Sequence, residues 1–384
     1  MVPRSSYPPA LRLPRIWEAE GAAELLKLRR AVDPDCPERV AGGLRAYLCK
    51  HCGSTDLTYL AEPSPLPNGW ETHTFSFRLQ GPRTPDRWDQ PLILRAYCSP
   101  QGLPRARHEF AVQKHMHALG YPVPEPLLLE ENCNLFGGPF LIMERLPGQT
   151  FYRNLLYFSW MMWPRSAGMA AMQARLHALP TDGFPAPPGP FLERCLDEMR
   201  RLIRHYGLDG LVPGWDWLAA HRPPPPVRAS ILHLDYHPWN LLCTRFPGLS
   251  VLDWTEADVG DPHADVGTSL MLMHCCSAGQ PTSTWERTML PIGRFLTTYW
   301  YLNSYRKRAA LDRWTLAYYR GLATLKRLCG YGRWLRATPL STGCKPASLR
   351  YLNPHHLETM QDYFQRWTGV AVSLIPQILP FSVS

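Results

Sequence analysis

His233, Asp235, Asn240 and Asp253 are four side chains able to move a proton or hold a divalent cation. They fall in two short stretches, Ile231-Leu-His-Leu-Asp-Tyr-His-Pro-Trp-Asn-Leu-Leu242 and Leu249-Ser-Val-Leu-Asp-Trp254. Both stretches carry apolar runs that predict short strands, and pairing them as a hairpin would gather the four side chains into one small volume. That is the equipment of phosphoryl transfer. The transferred group spreads charge over its oxygens, so a protein mainly positions the reactants and neutralises charge. Asn240 and Asp253 suit oxygen ligation of Mg²⁺. Asp235 suits orienting an acceptor hydroxyl and taking its proton, and His233 suits bracing the loop. An isolated His-x-Asp or Asp-Trp is common by chance; here order, spacing and flanking strands agree, and Gly260-Asp-Pro-His-Ala-Asp265 then opens a helical run.

The elements that must position these groups can be sought upstream. Leu57–Leu60, Thr74–Leu79 and Pro91–Tyr97 read as strands. Arg105–Gly120 reads as a helix, with Phe110, Val112, Met116 and Leu119 at helical spacing and Gly120 and Pro122 ending it. Glu109, near the start of that helix, is the candidate partner for Arg95 on the preceding strand. Taken alone, Arg95 could equally be a solvent-facing strand residue, and Glu109 a surface residue favoured by the helix dipole. Tyr121–Leu129 and Gly138–Gly148 read as two more strands, the second running into a Pro-Gly linker. Beyond it the period switches to helical: Ala167–Leu179, Phe191–Tyr206, Thr284–Arg308, Leu311–Leu328 and a helix opening at Asn353-Pro354 and closing at Gly369. Pro223–Pro226 reads as a stiff connector. His177 is expected to pack or make a buried hydrogen bond.

The H-x-D-x-x-x-x-N pattern of His233, Asp235 and Asn240, the Asp253-Trp254 pair and the later G-D-P-x-x-D resemble the aminoglycoside phosphotransferase and choline kinase-like family. The likeness runs from about Leu57 to about Cys275. It implies an α+β, two-lobed protein-kinase-like fold: an antiparallel-sheet lobe at 1–148, with a helical N-terminal extension, and a larger, mainly helical catalytic lobe at 149–384. It also implies ATP and Mg²⁺ as cofactors. Under this resemblance Asp235 is the catalytic base or orienter, and Asn240 and Asp253 are the metal ligands. Arg95 stands where the family usually carries a phosphate-gripping lysine, paired to Glu109; its rigid fork is not geometrically equivalent to an ammonium. The stretch Pro67-Asn-Gly-Trp-Glu-Thr-His73 falls where the nucleotide-covering loop belongs. Amides around Gly69 and Trp70 would approach the phosphates, although a loop with one glycine also reads as a plain hairpin turn. The Glu144 carbonyl and Leu146 amide would meet the adenine edge, with Met143 behind.

Composition narrows the rest. A chain of 384 residues, 45% hydrophobic, can bury a core large enough for two lobes. Eleven scattered cysteines do not form a disulfide framework. Cys49-Lys-His-Cys52 lacks a second ligand pair, so two helix-borne thiols are expected over a zinc site. The opening residues lack a signal peptide's apolar core, and 369–384 is too short and proline-broken to span a bilayer; a cytoplasmic protein without membrane attachment is expected. The net charge of +9 comes without a nucleic-acid module. From Pro281 to Ser384 fourteen Lys and Arg face four Asp and Glu. A polycationic aminoglycoside needs carboxylates around it, so the expected acceptor is instead a neutral or anionic small molecule with a hydroxyl. Choline-like acceptors are disfavoured too, although Tyr299-Trp300-Tyr301 is an aromatic cluster of the kind that can cage an ammonium. Nothing in the sequence specifies the acceptor or the oligomeric state. The competing classes are a non-catalytic nucleotide-binding pseudokinase, motivated by Arg95 and the glycine-poor loop, and a protein kinase, for which the segment after Asp253 is too short to dock a peptide.

Overall fold

The computed structural model describes residues 31–66, 71–81, 84–151, 162–243, 248–275, 284–337, 352 and 354–374. Helix α1 (Pro37–His51) precedes five strands, β1 (Thr58–Leu66), β2 (Thr72–Gln80), β3 (Pro91–Tyr97), β4 (Pro126–Glu130) and β5 (Phe140–Glu144), with α2 (Leu103–Ala118) between β3 and β4. The strands form one antiparallel sheet in the order β1-β2-β3-β5-β4.

Side-chain alternation divides the two faces of this sheet. Phe75, Phe77 and Leu79 on β2 and Leu92, Leu94 and Ala96 on β3 bury against Val40, Leu44 and Leu48 of α1. Alternate positions on a strand point to opposite faces. Arg95 and Tyr97 therefore leave the face covered by α1, and Tyr97 joins Ala106 of α2 with Leu141 and Met143 of β5. Helix α1 thus covers the small sheet, as part of the expected helical N-terminal extension; residues 1–30 lie outside the described residues.

The second half is helical: α3 (Met162–Ala178), α4 (Phe191–Tyr206), α5 (Val212–Ala220), α6 (Pro262–Cys275), α7 (Thr284–Arg306), α8 (Arg313–Arg336) and α9 (Pro354–Thr368). Helix α4 buries Phe191, Cys195, Leu196, Met199 and Ile203, a single helical stripe, and stops at Gly207 in the left-handed conformation, φ +59°. Helix α6 is buried almost all round. It lies so close to α8 that a Cβ on Gly267 would sit 3.0 Å from the Tyr319 carbonyl carbon. Helix α8 starts at Asp312, whose carboxylate accepts from the Thr315 amide at 2.7 Å. The α+β architecture matches the expected two-lobed fold.

Two details differ from the sequence reading. Tyr121–Leu129 is a strand only from Pro126, because Pro122 and Pro124 interrupt the ladder. The catalytic stretches pair as a hairpin through Leu241 and Leu242, as expected, but the Ile231 end of the first stretch joins a separate ladder. Strand β7 (Ser230–Leu232) pairs with β10 (Asp258–Gly260), while β8 (Leu241–Cys243) pairs with β9 (Leu249–Val251) and with the two-residue β6 (Gln149–Thr150). Local hydrophobicity marked these strands but could not choose the partner of β7.

Candidate active site

Asp235 and Asn240 sit in the loop joining β7 to β8, and Asp253 follows β9. The Leu252 amide donates to the Asn240 carbonyl at 2.8 Å, which extends the β8–β9 ladder and holds Asn240 beside the chain leading into Asp253. Two residues of these loops, Leu234 (φ +59°) and Asp253 (φ +62°), adopt the left-handed backbone that costs a non-glycine residue energy and recurs where surrounding structure imposes it.

For Leu234 the imposing group is Asp265 on the first turn of α6. Its Oδ1 accepts from the Leu234 amide at 2.6 Å, and Oδ2 meets His177 Nε2 at 3.0 Å; His177 Nδ1 lies 2.5 Å from the Tyr305 hydroxyl. Burial opposes ionisation of Asp265, but His177 and the other donors outweigh it and hold its pKa below the usual range. His177 thus makes the buried hydrogen bonds expected of it. Replacing Asp265 by Ala strands the Leu234 amide and His177, and should cost about 3 kcal/mol in urea unfolding at pH 7. Asp265→Asn, which keeps one acceptor, should lose less; equal losses would exclude this bracing role.

His233 is also structural in its contacts. Its Nδ1 accepts from the Asp235 amide at 3.2 Å, leaving Nε2–H to donate to the Leu252 carbonyl at 2.9 Å. Burial lowers its pKa, so the ring is neutral and ties the two catalytic stretches together.

Asp235 is held by donors on both oxygens. Asn240 Nδ2 reaches Oδ2 at 2.7 Å and also the Asp235 carbonyl at 3.0 Å. Arg327 Nη2, from α8, reaches Oδ1 at 2.7 Å, and His237 Nε2 lies 3.4 Å from Oδ2. Burial alone would raise the Asp235 pKa, but His237 and Arg327 dominate and hold it well below the ordinary carboxylate range. Because Asn240 spends its amide nitrogen on Asp235, its carbonyl Oδ1 is the end left to ligate a hard cation. Together with the Asp253 carboxylate that donor chemistry suits Mg²⁺.

Across the cleft, Arg95 joins the two halves of the molecule. Its Nη1 pairs with Glu109 Oε1 at 2.8 Å, and its Nη2 stands 3.4 Å from both carboxylate oxygens of Asp253. Tyr97 donates to the other oxygen of Glu109 at 2.7 Å. Burial works to discharge Arg95, yet Asp253 and Glu109 overcome it and push its pKa above the ordinary value. Glu109 lies beyond the first turn of α2 and is wholly buried, so it is not the dipole-favoured surface residue that its type also allowed. Glu144 ends β5 and Leu146 follows in the linker, both partly exposed. Gly69 and Trp70 lie outside the described residues.

The site also contains charges that the sequence reading did not assign. Glu71, just before β2, pairs with Arg105 of α2. Arg105 also meets Glu256 at 2.8 Å, and Glu256 meets Lys326 of α8 at 3.0 Å. Burial opposes the Glu256 carboxylate, but Lys326 and Arg105 hold its pKa down, at about 2. Glu256 was within reach of a motif-based reading, three residues after Asp253. Arg105, Lys326 and Arg327 come from two distant helices, and the sequence showed the α8 pair only as part of an excess of Lys and Arg.

Comparison with known proteins agrees with this arrangement. The family model for the phosphotransferase enzyme family APH matches residues 62–283, more than half of the chain. Among solved structures, a putative aminoglycoside phosphotransferase from Ralstonia eutropha superimposes with a TM-score of 0.57 at 19% identity, covering 86% of this chain and 99% of that one. The macrolide 2′-phosphotransferase MphH from Brachybacterium faecium gives 0.52 at 17% identity, over 81% and 98%. Among curated proteins, the chain is 30% identical over 192 residues to acyl-CoA dehydrogenase family member 11 of Gallus gallus, 46% of this chain and 24% of that protein. It is likewise 30% identical over 207 residues to family member 10 of Mus musculus, 50% of this chain and 19% of that one. The chain spans about a quarter or less of the length of these relatives. The fold, the sequence order of the polar groups around the cleft and the family match converge: this chain belongs to the phosphotransferase enzyme family APH.

Proposed function

We propose that this phosphotransferase moves the γ-phosphate of ATP to a hydroxyl of a neutral or anionic small molecule. The observation that carries the proposal is Arg95, bound at once to buried Glu109 and to Asp253, since this links the sheet lobe to the catalytic loops through one cation. Nucleotide use is supported by a neighbour of the same fold solved with ADP and hygromycin B, TM-score 0.53 at 16% identity.

In this reading Arg95 contacts the α/β-phosphates, and amides near Gly69 and Trp70 cover them. The Glu144 carbonyl and Leu146 amide bond the adenine edge. Asn240 and Asp253 hold Mg²⁺, which when bound neutralises charge on the phosphate oxygens. Asp235 orients the acceptor hydroxyl in line with the γ-phosphorus. The new O–P bond forms as the bond to the ADP oxygen breaks, and the hydroxyl proton passes to Asp235. The cations around the pocket, Arg105, Lys326, Arg327 and Arg333, outnumber its carboxylates, Glu198 and Glu256, a balance that disfavours an aminoglycoside.

Metal ligation has a direct readout. Mg–ATP should raise the thermal midpoint of the wild type, because a ligand that binds only the folded state stabilises it. Asp253→Ala should lose most of that rise, while Arg308→Ala in the exposed turn after α7 keeps it. An undiminished shift in Asp253→Ala would remove Asp253 from nucleotide and metal binding.

A further inference from the structure

Leu234 of the catalytic loop and Arg327, the partner of Asp235, line a recess of about 120 Å³ that mixes apolar and charged side chains. Its floor is apolar, with Met199 and Leu202 of α4, Leu234 of the catalytic loop, Met271 of α6 and Leu322 of α8 among its lining. Its charged lining is in cationic excess: Lys326, Arg327 and Arg333 of α8 and Arg105 stand against two carboxylates, Glu198 and Glu256. The α8 residues recur at positions 326, 327, 330 and 333, one face of a helix.

The cations are unequally matched. Arg105, Lys326 and Arg327 each have a carboxylate oxygen within 3.0 Å. Arg333 has Glu71 only at 4.0 Å, and its buried Nε has no hydrogen-bond partner. A buried guanidinium donor without an acceptor costs stability, and carboxylate and phosphate groups fit the guanidinium fork. Gly330, between these cations, completes the wall; a Cβ added there would meet nothing within 4 Å.

Resting on the phosphotransfer reading, we propose that this recess is the acceptor subsite, built for a hydroxyl compound with a short hydrocarbon body and one anionic group that Arg333 recognises. The recess is small, so the hydrocarbon body is short. The apolar floor takes the hydrocarbon, and Arg333 exchanges its distant Glu71 for the anion. Arg327, paired to Asp235, marks the end of the recess next to the base, where the acceptor hydroxyl belongs.

Binding can be read without catalysis, by calorimetric titration of the full chain with four six-carbon probes. Hexanoate and hexyl phosphate should bind, their ratio telling which anion is preferred. 1-Hexanol should bind about tenfold or more weakly, and hexylammonium not at all. Arg333→Gln should weaken hexanoate about tenfold while leaving hexanol unchanged, a split that a general loosening of the fold would not give. Gly330→Leu, which fills the recess from a helical position where leucine is the better helix former, should abolish binding of every probe. Hexanol binding as tightly as hexanoate, a preference for hexylammonium, hexanoate affinity untouched by Gly330→Leu, or no binding by any probe would each overturn the proposal. The phosphotransfer reading fails separately, if Mg–ATP gives no thermal shift and no hydroxyl compound is phosphorylated while hexanoate still binds in the recess.

Discussion

Asp235→Asn should lower phosphate transfer to the acceptor by roughly 10²- to 10⁴-fold, the range associated with loss of a positioned general base. The substitution is close in shape but reverses the chemistry at one oxygen. Asn240 Nδ2 and Arg327 Nη2 each donate to a different oxygen of Asp235. An amide accepts at only one of its two ends, so one donor must face an NH₂ group. The variant should therefore also lose about 1–3 kcal/mol of stability. Its Mg–ATP thermal shift should survive, because the base is not assigned to the metal. Initial rates with an acceptor found by screening hydroxylated metabolites test this; an unchanged rate would take Asp235 out of the mechanism.

Arg95→Met should be the most destabilising single change at the nucleotide end of the cleft, by about 3–5 kcal/mol at neutral pH. It leaves Glu109, wholly buried, without its cation. The deficit should depend on pH with a definite sign. Burial already pushes the Glu109 carboxyl above its ordinary pKa, with Arg95 opposing; without Arg95 it rises further. A group whose folded pKa is raised favours the folded state most when protonated, below its unfolded pKa. It loses that contribution as pH climbs through the folded value. The deficit of Arg95→Met relative to wild type should thus be smaller at pH 4 than at pH 8, measured by urea unfolding at both. Adding Glu109→Gln should recover part of the loss at pH 8, because the uncompensated charge is gone. A pH-independent deficit would mean that Arg95 matters for packing and not for the charge of Glu109. In thermal-shift titrations Arg95→Met should also lose the Mg–ATP shift, whereas Arg95→Lys, which keeps the charge without the fork, should keep part of it.

The parts of the site that were legible in the sequence are those carried by short-range spacing. The five-residue step from Asp235 to Asn240 and the apolar strands around them are properties of one loop, and the structure places both residues in hydrogen-bonding contact. Asp265 was visible as part of a motif, but its work, holding the Leu234 amide in a left-handed turn, was not. The charges on α8 were visible only as an excess of Lys and Arg. Nothing local tells that Arg327 reaches a carboxylate ninety-two positions away, since that depends on how α8 packs across α6 through the close approach at Gly267.

The sequence by itself determined the period of each element, hence which strand residues share a face, and the order of polar groups in the catalytic loops. Arg95 had to leave the face filled by Leu92, Leu94 and Ala96, because alternate strand residues diverge. Tertiary structure alone decided what met Arg95 there, which strand paired with β7, and which cations gathered at the apolar recess. Those outcomes rest on contacts between residues far apart in the chain, and their strength comes from burial, which removes the water that would otherwise screen them.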